Sequence, residues 1–389
     1  MCYLYITMGQ FTINDAASAR HLTFCKMLNN LGKRVIVISL DKVENNRIHV
    51  YKGINFISLR SSSNNIIARI FNFIFHLNRL RRCIKKISQT NDIKGIIFYD
   101  IPIPSIYYLK KMSYKKGVKI FHDSVEWYSP EQFRWRMFAL PYIMKNILNK
   151  YIIDKKIYVF SISKYLNNYF ISKGIKSTRI PILLDIKEIS IKKKINRDKI
   201  KLLYAGSPGK KDYLKEIIDG LALLEKELLL KIEIQLLGVN KDELIKICKV
   251  SEQTIEKLRD SLILRGRVSR EEVKLQLKES DFTVLLRSPK LRYAKAGFPT
   301  KVVESLATST PVICNITSDL GDYLINEINS LIVKDCSAEA FKNTIVKAIY
   351  LSNDEKMNLS INARNTAIHQ FDYKKFEHQF QTFIEEDLK

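Results

Sequence analysis

Between Arg292 and Val333 the chain reads RYAKAGFPTKVVESLATSTPVICNITSDLGDYLINEINSLIV. Gly297-Phe298-Pro299-Thr300 is a turn that opens a helix. Thr300 is placed to cap it, and Pro299 stands where a missing N–H costs little. The helix is expected to run to about Thr308, because Pro311 prevents its continuation and Val312-Ile313-Cys314 reads as a short buried strand. A helix start of this kind, Gly297 to Lys301, presents free N–H groups and a positive dipole end, which suits a phosphate. Gly297 allows a ligand close to the backbone. Glu304 lies one turn further in, within reach of a hydroxyl held beside that phosphate.

Two other stretches carry groups of the right types. The strand at Lys201–Ala205 is followed by Gly206-Ser207-Pro208-Gly209-Lys210-Lys211-Asp212. A glycine turn after a strand, with lysines at the entrance to the next helix, is built for a diphosphate. The GxxxxGK[ST] spacing of a P-loop is absent. His122-Asp123-Ser124-Val125-Glu126-Trp127 is expected just beyond a parallel strand, where α/β folds build their sites. Asp123 and Glu126 are the carboxylates that could orient or deprotonate an acceptor hydroxyl there. No Asp-x-Asp motif occurs, so no essential metal is expected.

The 292–333 stretch resembles the donor-sugar motif of family-4 glycosyltransferases (glycosyl transferases group 1) of the GT-B fold. Glu304 matches the second Glu of that motif, which holds the ribose of the sugar nucleotide. The first Glu, which meets the transferred sugar, falls on Ala296, and the second glycine falls on Pro299. The nucleotide half of the motif is kept and the sugar half is altered. His122 matches a His that contacts the donor sugar. Lys211 matches a diphosphate-binding Lys by position. Ser207 replaces the Arg that normally precedes it, and Arg287, at the end of strand Asp281–Leu286, is the better substitute cation; Arg292 is the poorer one. The loop with Gly9 and Gln10 corresponds to one facing the acceptor. The resemblance implies a nucleoside-diphosphate sugar as donor, retention of anomeric configuration, and a front-side departure in which the leaving diphosphate helps to take the acceptor proton.

The elements that must position these groups form two series. Cys2–Thr7 is a strand. A turn at Met8–Phe11 leads to a helix capped by Asn14 or Asp15, and Arg34–Leu40 is the next strand. Strand, glycine turn, helix, strand opens a Rossmann-like half. Strands follow at Gly95–Tyr99, Val118–Phe121 and Ile157–Ser161. Lys187–Lys201 is a charged linker. Strands at Lys201–Ala205, Lys231–Leu237, Ser261–Leu264 and Asp281–Leu286 alternate with helices in a second series. The expected fold is α/β with two Rossmann-like domains: 1–190 for the acceptor, 191–370 for the nucleotide sugar. The resemblance implies that the segment 371–389 forms a helix crossing back to the first; Tyr373, Phe376, Phe380 and Phe383 along one face suit that docking, and suit packing within the second domain equally.

A chain of 389 residues with 46% hydrophobic residues can bury two cores. The six cysteines show no CxxC pair and no Cys/His ligand spacing, which reads as a reducing compartment without structural zinc. The chain enters a strand at once, with no signal-peptide pattern. No run approaches the about 18 apolar residues of a membrane span. The charge is uneven: residues 1–200 hold 36 Lys+Arg against 12 Asp+Glu, a net of +24 out of +25 for the whole chain. That points to a polyanionic partner for the first half. Ile66–Lys86 reads as a basic helix with a broad apolar side, the composition of an interfacial helix. Phe133–Lys156 is again basic and aromatic, expected as a helix bent or split at Pro141. Together these predict a peripheral protein on the cytoplasmic face of an anionic membrane; the resemblance implies a lipid-linked saccharide of a surface polysaccharide as acceptor, which would explain the basic half. Two rivals remain. A GT-B enzyme that does not transfer, such as an epimerase or phosphorylase, has little use for the basic aromatic half. A nucleic-acid-binding protein would need a groove-entering helix or stacking module, and neither signature is present.

Overall fold

The computed structural model describes residues 1–13, 15–45, 47–60, 75–191, 198–207, 209 and 211–386. It divides into two units. The first comprises Met1–Val125, Ile143–Leu184 and the chain from Tyr373 onward, and the second comprises Glu126–Tyr142 and Asp185–Asp372. The second unit thus takes in a stretch, 126–142, that the sequence alone places in the first.

The first unit holds strands β1 (Cys2–Thr7), β2 (Arg34–Ser39), β3 (Ile48–Tyr51), β4 (Ile54–Ser58), β5 (Ile93–Tyr99), β6 (Lys119–Ser124), β7 (Tyr158–Ser161) and β8 (Ser177–Arg179). They form one sheet in the order β3-β4-β2-β1-β5-β6-β7-β8. Only β3 runs antiparallel, against β4. Every residue of central β1 is buried, as expected of a parallel strand covered on both faces. Asp15 caps the helix Ala16–Asn30, its carboxylate accepting from the Ser18 N–H. The β3–β4 hairpin was not expected. Its turn is Lys52-Gly53, both at positive φ (49° and 76°), the requirement of a tight two-residue hairpin.

The helix expected over 66–86 is described from His76 to Ser88; residues 61–74 lie outside the described residues. It buries Leu80, Cys83, Ile84 and Ile87 and exposes Arg81, Arg82, Lys85 and Lys86. Its apolar side is therefore spent on the core, and the described part turns only basic charge outward. Pro141 does not bend a helix but stands at the second position of one, Leu140–Ile147, where its missing N–H has no cost. From the C-terminal helix Glu377–Glu385, Phe380 packs on Phe24 and Phe160 with ring centroids 5.4 and 5.2 Å apart. Lys119 Nζ closes that helix by donating to the carbonyls of Glu385 and Glu386 at 3.0 and 2.9 Å.

The second unit holds β9 (Ile200–Ala205), β10 (Ile232–Leu237), β11 (Leu262–Gly266), β12 (Phe282–Leu285), β13 (Val312–Cys314) and β14 (Ser330–Ile332). Their order is β11-β10-β9-β12-β13-β14, and every pairing is parallel. The chain winds outward from β9 through β10 to β11, then returns to the other side of β9 for β12. The loops after β9 and β12 diverge at that switch point, where open α/β sheets bind ligands. Among the described residues no helix is long and apolar enough to cross a membrane.

Candidate functional site

The switch point of the second sheet gathers most of the sequence-predicted donor residues. At its centre is one that sequence reasoning passed over, Asp212. Its side chain is nearly buried, and both oxygens are taken by cations: Arg287 Nε donates to Oδ1 at 2.6 Å and Lys301 Nζ to Oδ2 at 2.6 Å. The Tyr204 hydroxyl also donates to Oδ2, at 2.9 Å. Burial alone would raise the Asp212 carboxyl pKa, but Lys301 and Arg287 outweigh it and hold it well below the usual carboxylate range. Three chain segments meet at this carboxylate: the loop after β9, the end of β12 and the first turn of helix Thr300–Ala307.

Local structure explains why they meet there. The Arg287 N–H donates to Asn315 Oδ1 at 2.9 Å, and Asn315 Nδ2 donates to the Arg287 carbonyl at 2.8 Å, so the loop after β13 fixes the end of β12. The Tyr213 N–H donates to the Leu286 carbonyl at 2.8 Å, which brings Asp212 alongside. Helix Thr300–Ala307 is seated through buried Ser305, whose hydroxyl lies 2.6 Å from Thr283 Oγ1 on β12. Lys301 passes over the Tyr204 ring with its Nζ 4.3 Å from the centroid. Gly206 is required by that path, since a Cβ there would lie 2.2 Å from Lys301 Nζ.

The remaining donor candidates are placed as follows. Thr300 does not cap its helix; it is the first helical residue and Pro299 occupies the cap position, with no side-chain hydrogen bond there. The N–H groups of that first turn are thus left without a capping side chain. Gly297 is in extended backbone. Phe298 is buried against Tyr323 and Phe371, so its side chain belongs to the core. Glu304 accepts from Arg270, the first residue of helix Arg270–Glu279 and a second residue the sequence reading missed. Lys211 is half-exposed, with its Nζ 3.9 Å from Glu126 Oε2 and 6.0 Å from the Tyr128 ring centroid. Glu126 also accepts from the Tyr128 hydroxyl. A residue expected on the acceptor side thus stands beside one expected on the diphosphate. Arg292 is not available as the substitute cation: its guanidinium lies over the Trp127 ring at 4.8 Å and donates to the Tyr128 carbonyl.

The first unit corrects part of the expectation. Strand β6 extends to Ser124, so His122 and Asp123 lie inside it rather than beyond it, and each is 0% exposed. Asp123 is committed: the Tyr5 hydroxyl donates to Oδ2 at 2.8 Å and Arg20 Nε to Oδ1 at 2.9 Å, while Arg20 Nη1 donates to the Pro181 carbonyl at 2.7 Å. It is a buried structural ion-pair partner, not a base for an acceptor hydroxyl. His122 stacks on Phe98 at 4.9 Å. Burial, then nearby Lys145, push its pKa well below the ordinary value, so it is neutral at pH 7. The Gly9–Gln10 loop follows β1. It is fixed by buried Asp41, which accepts from the Phe11 N–H at 2.8 Å and the Thr12 N–H at 2.9 Å.

Comparison with known proteins agrees with this architecture. Residues 185–366 match the family Glycosyl transferases group 1, which is almost the whole continuous part of the second unit. An uncharacterized glycosyltransferase of Methanocaldococcus jannaschii is 24% identical over 306 residues, covering 76% of this chain and 72% of that one. The sucrose-phosphate synthase of Thermosynechococcus elongatus superposes with a TM-score of 0.74 at 14% identity, over 98% of both chains. Anabaena HepE, solved in complex with UDP and glucose, superposes with a TM-score of 0.66 at 14% identity, over 99% of both. A group 1 match over the unit that holds the Asp212 cluster, and two-sheet folds superposing over the entire chain, lead to one conclusion: residues 185–366 form a glycosyl transferases group 1 domain, in a chain with the GT-B fold.

Proposed function

We propose that the enzyme transfers a sugar from a nucleoside-diphosphate sugar to a lipid-linked saccharide, with retention of anomeric configuration and without an essential divalent ion, at the inner face of the cell membrane during surface-polysaccharide synthesis. The observation that carries the donor reading is the gathering of Arg287 and Lys301 on Asp212 at the switch point. The three charges sum to +1, and they stand beside the uncapped start of helix Thr300–Ala307. A diphosphate placed there meets two cations and the positive end of the helix. The UDP seen in HepE is in keeping with such a donor.

In the transfer, the bond from the anomeric carbon to the leaving phosphate oxygen breaks. The acceptor oxygen bonds to the same face, and its proton passes to the departing diphosphate. The chain's task is then electrostatic: Arg287, Lys301 and the helix start stabilise the charge that develops on the leaving group. Lys211 adds a third cation and Glu304 receives the ribose hydroxyls. His122, neutral and buried, is proposed to serve the sugar as an uncharged residue rather than to exchange a proton.

The membrane part of the reading is supported by the net charge of +24 on residues 1–200. Helix His76–Ser88 turns Arg81, Arg82, Lys85 and Lys86 outward, and helix Ile103–Lys116 exposes Tyr107, Lys111, Tyr114, Lys115 and Lys116. Arg81 lies 5.1 Å over the ring of Tyr108, so these two acid-free helices present one basic, aromatic surface. Each such cation contributes about 1 kcal/mol near an anionic leaflet.

Calorimetry with UDP, GDP and CMP, followed by transfer from the matching sugar nucleotide to a membrane lipid extract in EDTA, tests the proposal. The expected result is nucleotide binding and a product with the donor's anomeric configuration, formed in chelator. Activity lost in EDTA and restored by Mg²⁺ removes the metal-free mechanism. An inverted product removes the front-side departure.

A further inference from the structure

The segment Glu126–Tyr142 exposes large apolar side chains in one short tip: Trp135 71%, Met137 61%, Phe138 81% and Leu140 68% exposed. We propose that residues 134–140 are a wedge that inserts into the headgroup layer of an anionic lipid bilayer. The inference rests on the membrane reading above and adds to it an apolar, inserting element that basic charge alone does not provide. Exposed apolar residues of this size, gathered in one short stretch of the chain, mark an interaction surface.

Three features select a bilayer as the occupant. The tip is interleaved with exposed Arg134 and Arg136, and no Asp or Glu occurs from 132 to 153. Trp, Phe, Met and Leu with Arg are the composition of an element lying at a membrane interface. A second copy docked by two-fold symmetry would set these arginines against their own equivalents, with no acid in the tip to neutralise them. Second, the backbone of the tip satisfies itself in part. The N–H groups of Phe133, Arg136, Phe138 and Ala139 donate to carbonyls three residues back, those of Pro130, Phe133, Trp135 and Arg136, at 2.9 to 3.3 Å. Internally satisfied N–H groups lower the cost of entering a less polar layer. Arg136 is held at φ 45°, in the left-handed region that non-glycine residues seldom occupy.

Third, the base of the tip is fixed. Trp127 is 3% exposed, the Tyr293 N–H donates to Ser129 Oγ at 3.0 Å, and Arg292 Nε donates to the Tyr128 carbonyl at 3.0 Å. The apolar residues are thus held out on an anchored base. Helix His76–Ser88 is the contrast: its apolar side chains are buried in the first unit, so it attracts a membrane without entering it.

The chain has two tryptophans, one buried and one in the tip, which makes insertion directly readable. Fluorescence is measured with phosphatidylcholine vesicles, with and without phosphatidylglycerol, some carrying brominated acyl chains. The expected result on anionic vesicles is a blue shift and bromine quenching, both retained in Trp127→Phe. Replacing Phe138 and Leu140 by Ser is expected to lower the partition coefficient about tenfold or more, since two large apolar side chains stay in water. Binding of UDP or GDP should be unchanged in that variant. Binding to anionic vesicles without quenching overturns insertion and leaves the electrostatic membrane reading standing. No binding to any vesicle overturns both. A dimer in sedimentation that the Phe138/Leu140 variant dissolves assigns the tip to a subunit contact and also overturns the proposal.

Discussion

Arg270 donates to Glu304 and joins the first residue of one helix to a position one turn inside another. The carboxylate proposed for the ribose therefore has a fixed, cationic partner before any nucleotide arrives. Glu304→Gln removes the charge-assisted bond to the ribose, which costs about 1.5–3 kcal/mol in nucleotide binding. Calorimetry should show the same loss for nucleoside, nucleoside diphosphate and sugar nucleotide, because the ribose is common to all three. Arg270→Gln should weaken binding in the same pattern but have little further effect on top of Glu304→Gln. Additive losses in the double variant would mean that Arg270 acts elsewhere.

Asp212 sets up a different pattern. Its two cations lose their anchor in Asp212→Asn, and breaking a buried pair from one side costs about 3–5 kcal/mol. The ligand-free protein should therefore melt earlier. A diphosphate would replace the missing anion, so the rise in Tm on adding UDP or GDP should exceed that of the parent protein. Lys301→Met should show the reverse, with the diphosphate-induced rise largely lost and nucleoside binding spared. If both variants keep the parent's ligand-induced shift, the cluster is a packing device and the donor lies elsewhere.

Two glycines of the second unit separate a functional from a purely steric requirement. At Gly206 an added methyl meets the tip of Lys301, a flexible group, and at Gly238 it meets the Gly206 carbonyl at 2.6 Å with φ already at 89°. Gly238→Ala is expected to destabilise the fold by more than about 1 kcal/mol, since backbone must move and the left-handed conformation is strained. Gly206→Ala should cost less stability than Gly238→Ala, because only a side chain must move, and should weaken diphosphate binding, because Lys301 swings off Asp212. Equal losses of stability in the two variants would contradict this division.

These residues also show where the sequence was readable and where it was not. Gly206, Arg287 and Glu304 follow strand ends or a helix start, and local pattern locates such positions. The β-series, the switch from one sheet to the next and the cap at Asp15 were legible for the same reason. Asp212, Arg270 and Asp41 were not, because each acquires its role from a partner distant in the chain: Asp212 from Lys301, Arg270 from Glu304, Asp41 from the Phe11 turn. Asp123 misled for the converse reason. Its position at a strand end suggested a base, but Arg20, 103 residues earlier, neutralises it. The β3–β4 hairpin could have been found from Lys52-Gly53, the one turn signal between two β-rich runs.

The first unit should also be labile in mild acid. His21 lies between the rings of Tyr5 and Tyr99, 4.8 and 4.7 Å away, and His76 Nδ1 is 2.9 Å from Ser105 Oγ. Burial is the main cause that lowers both pKa values to about 4; Asp123 and Asp15 pull His21 the other way, and Arg79 lowers His76 further. In the unfolded chain both titrate near about 6.5. Between these values the unfolded state binds more protons, so stability is complete above about pH 6.5 and falls as pH drops toward 4. At pH 5 the loss is about 2 kcal/mol for each histidine. His122, shifted in the same direction, adds to it. Urea unfolding at pH 7 and pH 5 should show a lower midpoint at pH 5, and hydrogen exchange should assign the loss to the first sheet. His21→Phe, which keeps a ring between Tyr5 and Tyr99, should flatten the pH dependence. Equal midpoints at the two pH values would mean that these histidines are protonated as readily in the folded protein as in the open chain.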